Sequence, residues 1–301
     1  MLAEGSLATS IGSRDVPEVY VPARLAGYMR DWGAVRDFSN NPRKRYVHTG
    51  DWRPAGRVAF ATLIADPNVT VNGVCHRVAA NRLDELDFRE QGYVRVAVDG
   101  ALGPYSGHVL ASDLPCFAYI DPHPDPVPAP VSRAYYDMGR LGAAAIDARA
   151  PGFAADYQAS TRPPSVLADD LAFVFLSGDG RHLWLLNEAD SSLVLLLAFT
   201  QPQFEVLTDS VPEAGRPVTT GLEWLDSRRR AAVPIPSPRI PGAMANELLG
   251  AEGDRLATSP YWLCRLAATQ AALPDALLAT LAADPDPWVR RAAALRRGIA
   301  P

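Results

Sequence analysis

The stretch "VNGVCHRVAANRLDELDFREQGYVRVAV", residues 71–98, constrains the fold most, because its pattern changes from strand to helix and back to strand. The two ends are rich in valine and are bounded by Asn-Gly and Asp-Gly turns, which predicts strands. Between them, Leu83, Leu86 and Phe88 bring apolar groups together on a short helix that ends before Gly92. The helix therefore delivers one carboxylate, Glu90, immediately before the second strand.

Two interpretations of Glu90 follow from its position. One is a solvated charge at a helix end that pairs with Arg89 or Arg95. The other is a functional carboxylate, because a negative charge near a helix C-terminus meets the negative end of the helix dipole. Such a position suits a base that has to accept and return a proton.

Composition excludes several classes of partner. The net charge of -5 over 301 residues gives no electrostatic footprint for nucleic acid or an anionic membrane. The most apolar run, "SSLVLLLAF", is shorter than the roughly 20 residues that span a bilayer. The three scattered cysteines, Cys75, Cys116 and Cys264, fit a reducing compartment better than a disulfide framework. No signal peptide is visible, so we expect a cytoplasmic protein with no nucleic-acid or membrane partner.

The chain divides into three zones that together predict an α+β protein. Residues 1–165 alternate strands and turns, and then a proline-rich connection leads to a helix on which Tyr135, Met138, Leu141 and Ile146 recur. Residues 166–242 predict a β-meander through "LAFVFL", "HLWLL", "LVLLLAF" and "FEVL". Residues 243–301 predict helices.

The helical zone carries a weak internal repeat. In "LATSPYWLCRLAAT" and "LAADPDPWVRRAAA", Trp262 falls on Trp288 and Arg265 falls on Arg291. The period resembles the leucine-rich-repeat-variant or HEAT-like families of stacked helices, although a chance similarity is an alternative. About one and a half units are present, so we expect this segment to pack against the β zone or against a partner subunit, including a second copy.

Over residues 1–165 the sequence resembles the γ-glutamylcyclotransferase superfamily, which includes the ChaC-type and AIG-like proteins. The motif residues that match in order are Gly73, Val74, Leu83, Leu86, Asp87, Glu90, Gly92 and Tyr93. The resemblance implies a small mixed β-barrel with flanking helices, and it places the catalytic glutamate of the family on Glu90.

Two further stretches extend the resemblance. "PARLAGYMRDW" is similar to the second strand of the family, and "PVSRAYYDMGRLGA" places a later family tyrosine on Tyr135. The resemblance implies that Tyr93 and Tyr135 position the substrate. The alternative for each is an ordinary half-buried core tyrosine.

The start of the chain, "MLAEGSL", resembles the first strand and loop of the family. The resemblance implies that N–H groups around Gly5, Ser6 and Leu7 bind the α-carboxylate of a γ-glutamyl substrate, as glycine and clustered N–H groups suit close approach to an anion. Glu4 stands where the family has tyrosine. Its charge would repel an anion, so we expect a cationic or neutral substrate group there.

The implied reaction closes a five-membered lactam, 5-oxoproline, from a γ-glutamyl amine or peptide. The α-amine of the substrate attacks its own γ-carbonyl, so the reaction requires proximity and one proton-transferring carboxylate but no metal or cofactor. No histidine has zinc-ligand spacing with a cysteine pair. Two alternatives are an inactive scaffold that binds proteins through its helical segment, and an amidohydrolase that releases glutamate.

Overall fold

A computed structural model describes residues 21–41, 44–110, 113–176, 182–187, 192–199, 204–206, 247 and 253–299. The protein is a mixed α/β structure that separates into two compact units. The first unit comprises residues 1–36 and 58–168, and the second comprises residues 37–57 and 169–301. The chain therefore leaves the first unit after Arg36 and returns to it at Val58.

The described strands alternate with short helices along both units. The strands are β1 (Val21–Asp37), β2 (Lys44–His48), β3 (Pro54–Ala55), β4 (Arg57–Cys75), β5 (Val94–Ala97), β6 (Leu102–Pro104), β7 (Phe117–Ile120), β8 (Val131–Ser132), β9 (Leu167–Ala168), β10 (Leu171–Leu176), β11 (His182–Asn187), β12 (Ser192–Phe199) and β13 (Phe204–Val206). The helices are α1 (Leu83–Arg89), α2 (Arg133–Asp147), α3 (Phe153–Ala159), α4 (Gly253–Ala257), α5 (Trp262–Ala268), α6 (Asp275–Leu281) and α7 (Pro287–Arg296). The described residues also form two 3₁₀ turns, Ala80–Arg82 and Asp99–Ala101.

The first unit is built from small sheets around two long strands. β1 lies between β4 and β6, and it pairs with β6 in antiparallel register with Ala23 opposite Pro104. β5 and β7 form a separate antiparallel ribbon in which Val94 lies opposite Ile120, and β8 pairs with β9 in parallel. None of these described sheets closes into a barrel. The mixture of helices and strands that the predicted α+β class implies is confirmed.

Helix α2 buries Ile146 as the sequence predicts, but the rest of its buried stripe differs from the predicted one. Leu141 is 40% exposed, whereas Gly139, Ala143 and Ile146 are buried. Ala143 and Ile146 pack in one apolar cluster with Phe153 and Tyr157 of α3. The hydroxyl of Tyr157 occupies the position that a Cβ atom at residue 139 would take. Glycine at this position therefore lets the buried face of α2 pack against Tyr157.

We expect Gly139→Ala to destabilise the protein, although alanine is the better helix former by about 1 kcal/mol. The added methyl would overlap the Tyr157 hydroxyl, and overpacking typically costs about 1–3 kcal/mol. In a Tyr157→Phe background the clashing oxygen is absent, so the same substitution should become neutral or stabilising. Urea unfolding of the two single variants and the double variant measures this coupling. An equal cost in both backgrounds would contradict the packing argument.

The second unit contains a six-stranded antiparallel sheet in the order β13-β12-β11-β10-β2-β3. Strands β10–β13 lie on the four stretches from which the sequence predicts a meander. The sequence-based boundaries place residues 37–57 in the first domain, but β2 pairs with β10, and Val174 lies opposite Arg45. Arg45, Tyr46 and Val47 are all buried, so this strand is covered on both faces within the second unit.

A buried arginine joins β2 to the helical segment. The guanidinium carbon of Arg45 lies 4.5 Å from the ring centroid of Trp262 and 4.1 Å from that of Trp288. Two guanidinium nitrogens donate to the carboxylate of Asp286 at 2.9 and 3.2 Å. Burial lowers the pKa of Arg45, while Asp286 acts in the opposite direction. The two repeat-related tryptophans therefore enclose one cation, which is the structural reason for their equivalent positions.

In each of the two similar stretches, an arginine donates hydrogen bonds to the carbonyls of the preceding loop. Arg265 donates to the carbonyls of Ser259 and Pro260, at 2.9 and 3.0 Å. Arg290 donates to the carbonyls of Asp284 and Pro285, both at 2.7 Å. The structural counterpart of Arg265 is therefore Arg290, one residue before the position that the sequence alignment indicates.

The helical segment packs within its own unit. One apolar cluster contains Val47 of β2 and Val174 of β10 together with Leu263, Leu281 and Trp288 of three helices. Of the two packing partners considered from the sequence, the β zone is the one that the described residues show.

We expect Asp286→Ala to destabilise the second unit by about 3–5 kcal/mol, because it leaves Arg45 as an uncompensated buried charge. It also removes the N-cap of α7, since Asp286 accepts the N–H groups of Trp288 and Val289. Asp286→Asn keeps a capping oxygen but not the charge, so its cost should be smaller yet clear. Guanidinium unfolding of both variants separates the two contributions. Equal stability of Asp286→Ala and wild type would refute the role of the ion pair.

Candidate functional site

Glu90 lies at the first residue beyond helix α1, in a tight turn. Its N–H donates to the carbonyl of Leu86 at 2.8 Å, and its carbonyl accepts the N–H of Tyr93 at 2.9 Å. Gly92 has a φ of 92°, a left-handed conformation that glycine adopts without strain at the end of a helix. The helix thus ends before Gly92, as the sequence predicts, and Glu90 is half-buried on the turn.

An arginine from β1, Arg36, contacts Gly92 and Tyr93 of this turn. One guanidinium nitrogen of Arg36 donates to the carbonyl of Gly92 at 2.8 Å, and the other donates to Asp121 at 2.6 Å. The guanidinium carbon lies 4.8 Å from the ring centroid of Tyr93. A methyl group at Gly92 would come within 3.0 Å of this guanidinium. The turn and Arg36 therefore fit closely against each other.

The negative charge of Glu90 acts on the hydroxyls of two tyrosines, Tyr93 and Tyr119. The hydroxyl of Tyr93 donates to the carbonyl of Ala61 at 3.2 Å, and burial is the main cause that raises the pKa of Tyr93 to about 12. The hydroxyl of Tyr119 donates to Asp87 at 2.6 Å, and its pKa is also raised, first by burial and then by Asp87. The negative charge of Glu90 adds to both increases. The arrangement thus combines a carboxylate with two hydroxyls that remain protonated donors near neutral pH.

Arg95, one partner considered for Glu90, forms an ion pair with Asp87 at 3.4 Å. Its guanidinium also lies 5.2 Å from the ring centroid of Phe117. The side chain of Arg89 lies outside what the structure describes. Arg95 of β5 therefore pairs with a carboxylate of helix α1, Asp87.

Tyr135 lies in an aromatic cluster. Its ring centroid is 6.2 Å from that of Trp32 and 5.2 Å from that of Phe60, both in edge-to-face geometry. Phe60 precedes Ala61, whose carbonyl accepts the Tyr93 hydroxyl. The two tyrosines predicted from the sequence therefore contact neighbouring residues of β4. The other predicted substrate-binding residues, Glu4, Gly5, Ser6 and Leu7, lie outside the described residues.

Arg30 is a buried cation that lies close to Tyr135. Arg30 is 7% exposed and donates to the hydroxyl of Thr161 at 2.7 Å and to the carbonyl of Asn72 at 2.6 Å. Its guanidinium lies 4.1 Å from the ring centroid of Tyr157. Burial lowers its pKa, and the hydroxyls of Tyr157 and Tyr135 oppose that effect. The described contacts of Arg30 are thus neutral groups.

Sequence reasoning missed Arg36, Tyr119 and Asp121. The available signal was the charge pattern of "ARLAGYMRDWGAVRD", in which arginines and aspartates interrupt a largely apolar strand. A charged residue in such a strand needs a partner to be buried. The sequence does not say which carboxylate supplies it.

The cysteines show no sign of activation. Burial raises the pKa of Cys75 to about 11 and also raises the pKa of Cys116, which disfavours the reactive thiolate. Within the described ranges, no three His, Cys, Asp or Glu side chains gather as a metal-binding group. In the same part of the chain, no helix reaches the length and apolar character needed to cross a membrane.

Comparison with protein-family models and with curated protein sequences finds no match for this chain.

We expect protein stability to fall as the pH rises from about 10 to about 12, in part because of Tyr93. Its pKa lies above the ordinary value of 10 in the folded protein, so the unfolded chain loses this proton first. The contribution is fully present below pH 10 and amounts to about 2 kcal/mol. It should be absent from Tyr93→Phe, so the alkaline stability curve of that variant should be flatter. Parallel curves for the two proteins would contradict the assignment.

Proposed function

We propose that this protein is a γ-glutamylcyclotransferase-like enzyme that releases 5-oxoproline from a γ-glutamyl amine or peptide. The observation that carries the proposal is the position of Glu90. It follows the short helix of the resembling motif, it is half-buried, and its charge acts on the hydroxyls of Tyr93 and Tyr119.

In the proposed reaction, Glu90 accepts a proton from the α-ammonium of the substrate. The freed amine nitrogen attacks the γ-carbonyl carbon, so a carbon–nitrogen bond forms within the glutamyl group. The carbon–nitrogen bond to the leaving amine then breaks, and Glu90 returns its proton to that amine. The reaction consumes no water, because the nucleophile belongs to the substrate.

Neutral hydroxyls suit this proton transfer. Tyr93 and Tyr119 each donate their one hydroxyl proton, to the carbonyl of Ala61 and to Asp87, so their oxygens would act as hydrogen-bond acceptors that orient the α-ammonium of the substrate beside Glu90. We assign Tyr135 a substrate-positioning role from the family resemblance. The loop at Gly5, Ser6 and Leu7 would bind the α-carboxylate end, with Glu4 favouring a neutral or cationic group beside it.

The first part of the chain, residues 1–165, would carry the reaction in a cyclotransferase-like barrel. The helical segment 243–301 is proposed as a HEAT-like support for the second unit, in which its apolar residues are buried. A contact of this segment with a second copy or another protein remains a further proposal.

We expect wild-type protein to release 5-oxoproline from at least one member of a panel of γ-glutamyl amides, as measured by mass spectrometry. Glu90→Gln should lower kcat by roughly 10²–10⁴-fold, because it removes the proton-transferring group. Asp84→Asn is the matched control, since Asp84 is an exposed carboxylate on the same helix.

Melting temperatures of all three proteins check that they are folded. Release of glutamate instead of the lactam would indicate the amidohydrolase. Equal lactam release by wild type and Glu90→Gln would exclude Glu90 as the proton-transferring group, and no product from any substrate would favour the scaffold.

A further inference from the structure

We propose that Arg36 is the positioning residue that holds Glu90 in place for proton transfer. This inference rests on the proposed function, because it concerns the same turn. Arg36 contacts Gly92 and Tyr93, the second and third residues after Glu90, and its other guanidinium nitrogen donates to Asp121. The sequence resemblance assigns nothing to Arg36 or Asp121.

Asp121 is a well-held anchor because both of its carboxylate oxygens accept a hydrogen bond. The Asp121 side chain is 4% exposed, and one of its oxygens accepts Arg36 at 2.6 Å. Its other oxygen accepts the N–H of His123 at 2.9 Å. The N–H of Asp121 itself donates to the hydroxyl of Thr62 at 2.9 Å, so the backbone beside the carboxylate is bound to β4.

The other end of Arg36 fixes the turn. It donates to the carbonyl of Gly92 at 2.8 Å and lies over the ring of Tyr93. Tyr93 in turn donates its N–H to the carbonyl of Glu90 at 2.9 Å. A hydrogen-bonded path thus runs from the buried carboxylate through the guanidinium to the backbone of Glu90.

Gly92 completes this fit. Its φ of 92° favours glycine, and a methyl group there would lie only 3.0 Å from the guanidinium, so a larger residue would push Arg36 aside. Only a planar guanidinium can contact a carboxylate, a carbonyl and a ring face together, whereas a lysine ammonium is a point charge.

The hydrogen bond from Arg36 to Gly92 contributes little to overall stability, which separates a positioning role from a purely structural one. Gly92 is exposed and the Arg36 side chain is 28% exposed, so this contact lies near solvent and is weakened by it. The Asp121 side chain is 4% exposed, so removal of the positive charge would leave a buried carboxylate without its cation, whereas lysine keeps the charge and loses the planar geometry. A displacement of a catalytic group by about 1 Å can cost roughly 10²-fold in rate. Arg36→Lys should therefore affect kcat far more than folding.

The test compares Arg36→Lys with Arg24→Lys. Arg24 is the matched control because it also belongs to β1, pairs with an aspartate, Asp156, at 2.7 Å, and lies 4.5 Å from the ring centroid of Tyr105. We expect Arg36→Lys to lower kcat for lactam formation by roughly 10–100-fold with little change in KM. Arg24→Lys should leave both constants within about twofold.

A second readout does not need activity. Amide hydrogen exchange at Glu90 and Tyr93 should accelerate by roughly tenfold in Arg36→Lys and remain unchanged in Arg24→Lys, because the turn opens more often without its support. Exchange also distinguishes the two hypotheses. If wild type makes no lactam, the proposed function fails, and unaltered exchange in Arg36→Lys then overturns the positioning role as well.

Three results would overturn the inference in an active protein. They are an unchanged kcat in Arg36→Lys, a change confined to KM, and a loss of kcat no larger than the loss of folded protein.

Discussion

The guanidinium of Arg36, between the buried carboxylate of Asp121 and the carbonyl of Gly92, is the interaction on which the candidate site depends. Without it, the turn after α1 would be an exposed helix end next to the half-buried Glu90. Asp121 is held by the hydroxyl of Thr62 on β4 and by the N–H of His123. The guanidinium that pairs with Asp121 therefore fixes the turn relative to β4. The chemistry proposed for Glu90 needs such a defined position.

The same combination of groups recurs in both units. Arg24, Arg36 and Arg45 each lie over an aromatic ring and pair with an aspartate. The ring favours the cation on one face while the carboxylate accepts hydrogen bonds in the guanidinium plane, so the two contacts do not compete. Arg30 lies over Tyr157 but donates to neutral oxygens. This protein therefore uses arginine in strands to join distant segments.

Part of the site could be predicted from local sequence. The spacing of Leu83 and Leu86 predicts α1, Gly92 predicts where it ends, and Glu90 follows from both. The partners of that turn could not be predicted, because Arg36 and Asp121 lie far from Glu90 in the chain. Tyr119 was missed for the same reason, since Tyr119 lies on β7 and donates to Asp87 on α1.

Local patterns in the sequence determined the helices, the strands of the meander and the end of α1, because these depend on residues within a few positions of one another. Tertiary structure alone decided that residues 37–57 join the second unit. Strand pairing between β2 and β10 and the enclosure of Arg45 by Trp262 and Trp288 are long-range choices. Their free energy arises only when distant segments meet, so no local pattern encodes it.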